Sequence, residues 1–125
     1  MRDIVFRAKA LENGDWVVGS LLKTKHGAFI QKVKNENAWD SYRVDPSTIG
    51  QFTGLHDGEA HAIYEGDILT FDLFNGKPFG VVEWSEYYAK FFIREYGDER
   101  KYPDNADLGY MVNKDVYVIG NIHEK

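Results

Sequence analysis

Short apolar runs with a two-residue period dominate the chain, and turn-forming residues punctuate them. Residues 4–9 alternate Ile4, Phe6 and Ala8 against Val5 and Arg7, which predicts a first strand. Glu12-Asn13-Gly14-Asp15 follows. Asn-Gly supplies the positive φ angles of a tight hairpin, so residues 16–22 are expected to return as a second strand. Lys25-His26-Gly27 turns the chain again into residues 28–33. These three segments predict an antiparallel meander. Residues 34–41 are polar without a clear period and read as a loop that Trp39 anchors. Residues 42–44 form a short extended piece before Asp45-Pro46. Proline pushes the residue before it out of helical geometry, and Asp45 is then placed to cap a single turn over Ser47 and Thr48.

Residues 49–53 read as extended again, and residues 55–62 as a loop with Asp57-Gly58 at its tip. Beyond it the rhythm is that of a small barrel. Tyr64-Glu65-Gly66-Asp67 leads into a strand at 67–72, and Asn75-Gly76-Lys77-Pro78 is a strong turn signal. Strands follow at 79–84 and 89–96, joined by 85–88, and a last strand runs through 115–122. In that last strand Val116, Val118, Gly120 and Ile122 are expected on one face, with Tyr117 and Ile119 on the other. Residues 97–108 form a long charged loop of poor periodicity. Phe91 and Phe92 are adjacent, so one fills the core and the other needs a second cover. The predicted class is mainly β: an N-terminal antiparallel meander over residues 1–55 and an SH3-like small barrel over 63–125, with a hinge near 55–62.

Composition narrows the classes. The 125 residues are 43% hydrophobic and 15% aromatic, enough for a packed core in one domain or two small subdomains. Cysteine is absent, which excludes disulfides and thiolate metal sites and fits a cytoplasmic protein. The N-terminus turns charged within its first residues and predicts no signal peptide, and no apolar run approaches a membrane span. The net charge of −5 argues against a general polyanion binder. It is uneven: residues 1–50 carry eight Lys/Arg against six Asp/Glu, and residues 51–125 carry seven against fourteen.

Candidate chemistry is sparse. His56-Asp57-Gly58-Glu59-Ala60-His61 gathers two imidazoles and two carboxylates, all competent metal ligands, at a spacing that matches no standard zinc signature. As a flexible loop tip it would not preorganise them. Glu65, Asp67, Glu83 and Glu86 are the carboxylates for acid–base or divalent-ion chemistry. Gly66 and Asp67 have a simpler use, as a tight turn entering a strand. Ser20, Ser41, Ser47 and Ser85 lie in no nucleophile-elbow context, and no phosphate-binding glycine loop occurs. Lys23, Lys25, Lys32 and Lys34 flank Phe29 and Ile30 on one hairpin, an arrangement that would hold phosphates while Phe29 stacks on a base. Lysines at strand ends equally serve to discourage edge pairing. Apolar residues on both strand faces point to a homo-oligomer.

Three stretches carry a family resemblance. Asp45-Pro46-Ser47-Thr48-Ile49-Gly50-Gln51-Phe52-Thr53-Gly54-Leu55-His56-Asp57 is the first, and Ile63-Tyr64-Glu65-Gly66-Asp67-Ile68-Leu69 the second. Val118-Ile119-Gly120-Asn121-Ile122-His123-Glu124 closes the set. With Phe6-Arg7-Ala8 and the strand that ends at Trp84, they resemble the YopX-like family of small proteins encoded by phages and prophages. The resemblance implies a β-rich fold and a phage setting, and no reaction. Its motif positions here are Asp45, Gly50, Gln51, Thr53, Gly54, Tyr64, Glu65, Gly66, Asp67, Trp84, Gly120 and Asn121. His56, Glu59 and His61 depart from the family's usual Lys, Asn and Gly in that loop. The expectation is a non-enzymatic, oligomeric protein-interaction module with no cofactor and no bound metal. An accessory nucleic-acid-binding protein using the lysine hairpin is the alternative, and a metal-dependent enzyme comes third.

Overall fold

The structure is a computed structural model that describes residues 4–71, 77–95, 106–107 and 116–124. It is mainly β, with two antiparallel sheets and no α-helix among the described residues. The chain forms two compact units, Met1–Phe52 and Thr53–Lys125.

The first unit contains β1 (Phe6–Lys9), β2 (Trp16–Thr24), β3 (Gly27–Asn35), β4 (Ala38–Val44) and the start of β5 (Gly50–His56), adjacent in the order β4-β3-β2-β1-β5. The expected meander is present, but of the Asn13-Gly14 pair only Gly14 takes a left-handed conformation, at φ +76°, and Asn13 does not. Residues 34–41 correct the sequence reading. They are not a loop: β3 runs to Asn35, turns at Glu36-Asn37, and returns as β4, with Val33 opposite Trp39 and Lys32 opposite Asp40. Trp39 anchors nothing and is 64% exposed.

Residues opposite one another in register share a sheet face. Ala8, Val17, Ala28, Ile30 and Val44 thus form one buried cluster, which Phe6, Leu21, Tyr42 and Ile49 flank. β4 also reaches β1. An isolated bridge joins Ala10 to Val44, and the Leu11 N–H donates to the Arg43 carbonyl at 2.9 Å. β2 changes partners at Gly19, where residues 16–19 pair with β1 and residues 20–24 with β3. After β4, Asp45 caps the single 3-10 turn Pro46–Thr48 as expected. Its Oδ1 accepts the Ser47 N–H at 3.0 Å and the Ser47 hydroxyl at 2.8 Å. Asp45→Ala is expected to lower stability by about 0.5–1 kcal/mol, and Asp45→Ser to restore most of it, read from urea midpoints.

In the second unit the end of β5 runs beside β6 (Ala62–Tyr64). β7 (Asp67–Phe71), β8 (Gly80–Ser85), β9 (Lys90–Glu95), β10 (Ala106–Asp107) and β11 (Val116–Asn121) form a sheet ordered β10-β9-β8-β7-β11. This is a serial meander whose last strand returns to its first. No pairing of β10 with β11 closes it into an SH3-like barrel among the described residues. Ile63, Leu69, Val82, Phe91, Ile93 and Val116 form its core. The two adjacent phenylalanines split as expected. Phe91 joins that core, while Phe92 lies opposite Glu83 on the other face and is half-buried. The expected alternation of β11 fails, because a bulge between Val118 and Gly120 shifts the phase. Asn121 is consequently buried, and Ile122 is exposed rather than packed with Val116. The Asn75-Gly76 turn and most of the 97–108 loop lie outside the described residues.

Candidate functional site

Most motif positions of the sequence resolve into backbone-supporting contacts. Gly66 has φ +93°, a conformation that strains any residue with a Cβ. Its N–H donates to the Val82 carbonyl at 2.8 Å, and its carbonyl accepts the Ile122 N–H at 3.0 Å. Asp67 is 1% exposed, and its Oδ2 accepts the Tyr64 N–H at 2.8 Å, which ties the turn to the strand it opens. Asn121 lies opposite Asp67 in register. Its Oδ1 accepts the His123 N–H and its Nδ2 donates to Glu124 Oε1, both at 2.9 Å. Thr53 is buried and its hydroxyl donates to the Ile63 carbonyl at 2.7 Å. Gly54 is another left-handed position, at φ +87°. In the first unit Gly50 is buried opposite Arg7, and Gln51 is half-buried opposite Phe6. Tyr64 and Glu65 belong to the same turn as Gly66, and Gly120 closes the β11 bulge.

Asp57 corrects the sequence reading most sharply. Rather than standing at a loop tip, its side chain is 0% exposed. Oδ1 accepts the Glu59 and His61 N–H groups, and Oδ2 accepts the N–H of Val118, each at 2.9 Å. The Asp57 N–H donates to the His61 carbonyl, and the Gly58 N–H donates to the Val116 carbonyl at 2.8 Å. Burial opposes ionisation of this carboxyl. The amides of Val118, His61 and Glu59, with the His61 imidazole 3.4 Å away, outweigh it and hold Asp57 below the usual carboxylate range. The carboxylate is therefore committed to its own loop and to β11, and its geometry is that of a structural latch rather than a metal ligand. No group of three His, Asp or Glu is gathered for a metal among the described residues.

The remaining carboxylates do not converge. Asp67 shares the Leu69–Gly80 face, whereas Glu83 shares the opposite face with Val81 and accepts from Arg94 Nε at 2.6 Å. Glu86 is exposed in the turn between β8 and β9. The register also separates the nucleic-acid candidates. Lys23 is opposite Ala28, and Lys32 follows Ala28 and Ile30 at even spacing, so these two lysines share one face of the β2–β3 hairpin, while Lys34 sits where the β3–β4 register shifts. Lys25 lies in the turn that joins the two strands. Phe29 lies on the other face, opposite Leu22 and Arg43, and cannot stack on a base that Lys23 and Lys32 hold by its phosphates.

What the structure leaves outward is apolar and aromatic. On the first unit, Val33 and Trp39 form an adjacent cross-strand pair, 85% and 64% exposed, on the face that also carries Val18 and Leu22. On the second, the β8–β9 hairpin presents Trp84, Tyr87 and Tyr88, with Tyr87 88% exposed. Trp84 packs edge-on against Phe91 at 4.9 Å between ring centroids, and Tyr87 against Tyr88 at 4.8 Å. Lys90 Nζ lies 5.7 Å from the Tyr88 ring. Trp84 shares the core-facing side of β8 with Val82, which explains its partial burial. The exposed Val33–Trp39 pair had no signal in the sequence, because its segment lacked the period that would have marked it as strand.

Comparison with known proteins agrees with this architecture. A profile of the family described as YopX protein matches residues 5–125. The crystal structure of protein EF1440 from Enterococcus faecalis is similar in fold. It has a TM-score of 0.58 and 20% sequence identity, over 99% of this chain and 96% of that one. No curated protein matches.

Proposed function

The chain belongs to the YopX protein family, and we propose that it is a phage- or prophage-encoded cytoplasmic module without enzymatic activity that works by binding proteins, copies of itself among them. The observation that carries this reading is the pair of outward aromatic surfaces, Val33 with Trp39 on one unit and Trp84 with Tyr87 and Tyr88 on the other. Exposed Trp and Tyr supply most of the energy at protein interfaces, whereas isolated soluble surfaces rarely group them. The fate of the polar motif residues supports it too. Asp45, Thr53, Asp57, Asp67 and Asn121 hold their own backbone, so none of them is aimed outward as a reacting group. The absence of cysteine agrees with a reducing compartment.

The tagged chain, passed through bacterial lysate with and without nuclease, is expected to recover the same defined protein in both arms, and to elute above its 14.4 kDa monomer mass by light scattering. Recovery that collapses on nuclease treatment would replace this reading with nucleic-acid binding through the hairpin of Lys23, Lys25, Lys32 and Lys34.

A further inference from the structure

We infer that the turn between β5 and β6 guards the outer edge of β11: Asp57 and Gly58 occupy the two backbone groups through which a second copy's β11 would otherwise pair. This goes beyond the protein-binding reading and does not rest on it. β11 stands last in the order β10-β9-β8-β7-β11, and β7 is the strand it pairs with among the described residues. Successive residues of an antiparallel strand turn their backbone groups to opposite sides. The Val116 carbonyl accepts the Gly58 N–H at 2.8 Å, and the Val118 N–H donates to Asp57 Oδ2 at 2.9 Å. These groups flank Tyr117 and face away from β7. An added strand would bring one donor and one acceptor to the same pair. The turn already supplies both: Gly58 gives a backbone N–H, and the Asp57 carboxylate stands where the incoming carbonyl would be. A carboxylate is the stronger acceptor of the two. Because it belongs to a side chain, it also cannot lead on into a ladder.

The strand's own sequence shows why its edge needs covering. Residues 116–122 contain β-branched and aromatic positions, no Lys, Arg, Asp or Glu, and no proline. That is the composition that adds readily to other strands. Edge strands are ordinarily protected by a charge or a proline, and this one has neither. Two identical uncharged edges meet no like-charge repulsion, so the copy most able to pair there is another β11. Two devices stand against it. The bulge between Val118 and Gly120 interrupts the ladder toward the C-terminal end, and the turn covers the regular part before it. The turn holds its shape through its own bonds. Asp57 Oδ1 accepts the Glu59 and His61 N–H groups, the Asp57 N–H donates to the His61 carbonyl at 2.9 Å, and the Ala60 N–H donates to the Asp57 carbonyl at 3.0 Å. They keep Ala60 at φ +66°, a conformation that a residue with a Cβ adopts only when its surroundings impose it.

The test separates loss of the guard from loss of stability. Asp57→Asn turns a donor toward the Val118 N–H, and light scattering on the folded variant should give about twice the wild-type mass, as two opened edges pair. Adding Ile119→Lys places a charge on this edge at a side chain that is 45% exposed. The double variant should return to the wild-type mass while its urea midpoint stays as low as that of Asp57→Asn. Val82→Ala weakens the same unit from its core and leaves the turn intact, so it should keep the wild-type mass. The inference falls if folded Asp57→Asn keeps the wild-type mass, if Ile119→Lys does not reverse the association, or if Val82→Ala associates equally. Amide hydrogen exchange in the dilute wild-type chain tests the guard even where Asp57→Asn does not fold. The Tyr117 amide faces β7 and the Val118 amide faces the turn, and the two are expected to exchange within about tenfold of each other. A Val118 amide that exchanges as fast as an open edge shows that nothing covers it, and overturns the inference.

Discussion

Asp57→Ala is expected to lower the stability of the Thr53–Lys125 unit by about 3–5 kcal/mol, as charge-assisted bonds to backbone amides are the strong ones and their loss leaves buried donors bare. Three N–H groups, those of Glu59, His61 and Val118, would face a void where a buried carboxylate now accepts them. The bond to Val118 spans 61 residues of sequence. Its loss therefore frees not only the loop after β5 but also the edge strand β11, whose pairing with β7 completes the sheet. Asp57→Asn separates charge from shape. Its carbonyl can still serve two amides, but its NH2 would then point at the Val118 N–H, donor against donor. About 2 kcal/mol of loss is expected for Asn, measured by urea unfolding at neutral pH with Trp84 fluorescence as the reporter of this unit.

The same latch gives the protein an acid dependence of defined sign. The folded-state carboxyl is held below the usual carboxylate range by the amides that bond it, so the folded form binds this proton less readily than the unfolded form. The stability contributed by Asp57 is complete above the unfolded value and is lost as pH falls through the folded one. The difference between wild type and Asp57→Ala should therefore be constant near neutrality and shrink below about pH 4. If the two proteins keep the same separation at pH 3 as at pH 7, the carboxylate charge is not what holds the latch.

The elements legible in the sequence share a local cause. Asn13-Gly14 and Asp45-Pro46-Ser47 name their own backbone geometry, and Glu65-Gly66-Asp67 specifies a left-handed residue followed by a turn-accepting carboxylate. Each interaction closes within a few residues, so composition at a fixed offset suffices. The β4 strand was not legible for the converse reason. It runs seven residues, but its outward residues Trp39, Ser41 and Arg43 alternate with Asp40 and Tyr42, so no apolar period marks it before residue 42. Neighbouring Asn and Glu residues then gave the whole segment the appearance of a loop, although only Glu36-Asn37 turns.

The site was less legible than the fold, again for a physical reason. Asp57 stood among His56, Glu59 and His61, and proximity in sequence suggested a shared ligand. What decides its role is a β11 amide far along the chain, which no local pattern encodes. The family stretch did end on Asp57, a signal of a fixed position without a statement of its purpose. Register did similar work at the lysine hairpin. Lys23, Lys32, Lys34 and Phe29 look interleaved when written as a line, yet one residue of parity puts Phe29 across the sheet from Lys23 and Lys32. The face that remains, with Val33 and Trp39 outward, becomes visible only once β3 and β4 are known to pair.

Gly19→Ala is expected to be about as damaging to the Met1–Phe52 unit, for a steric reason. A Cβ at this position would stand 2.3 Å from the Gln31 carbonyl oxygen and 3.2 Å from Ile30 Cγ2. Oxygen and a methyl carbon cannot approach so closely, and the oxygen belongs to the backbone of β3. Relief therefore requires β3 to move away from β2 where Ser20 pairs with Gln31. That position is also where β2 hands over from β1 to β3, so displacement opens both ladders beside the buried Ile30. A loss of about 3 kcal/mol or more is expected, at the upper end of overpacking costs. Gly14→Ala is the control that isolates the cause. Gly14 has φ +76° and nothing within 4 Å of its would-be Cβ, so it bears the conformational penalty alone, about 1 kcal/mol. Urea midpoints followed through Trp16 and Trp39 should rank wild type, Gly14→Ala and Gly19→Ala in that order. If Gly19→Ala proves no worse than Gly14→Ala, β2 and β3 approach less closely at Gly19 than their pairing implies.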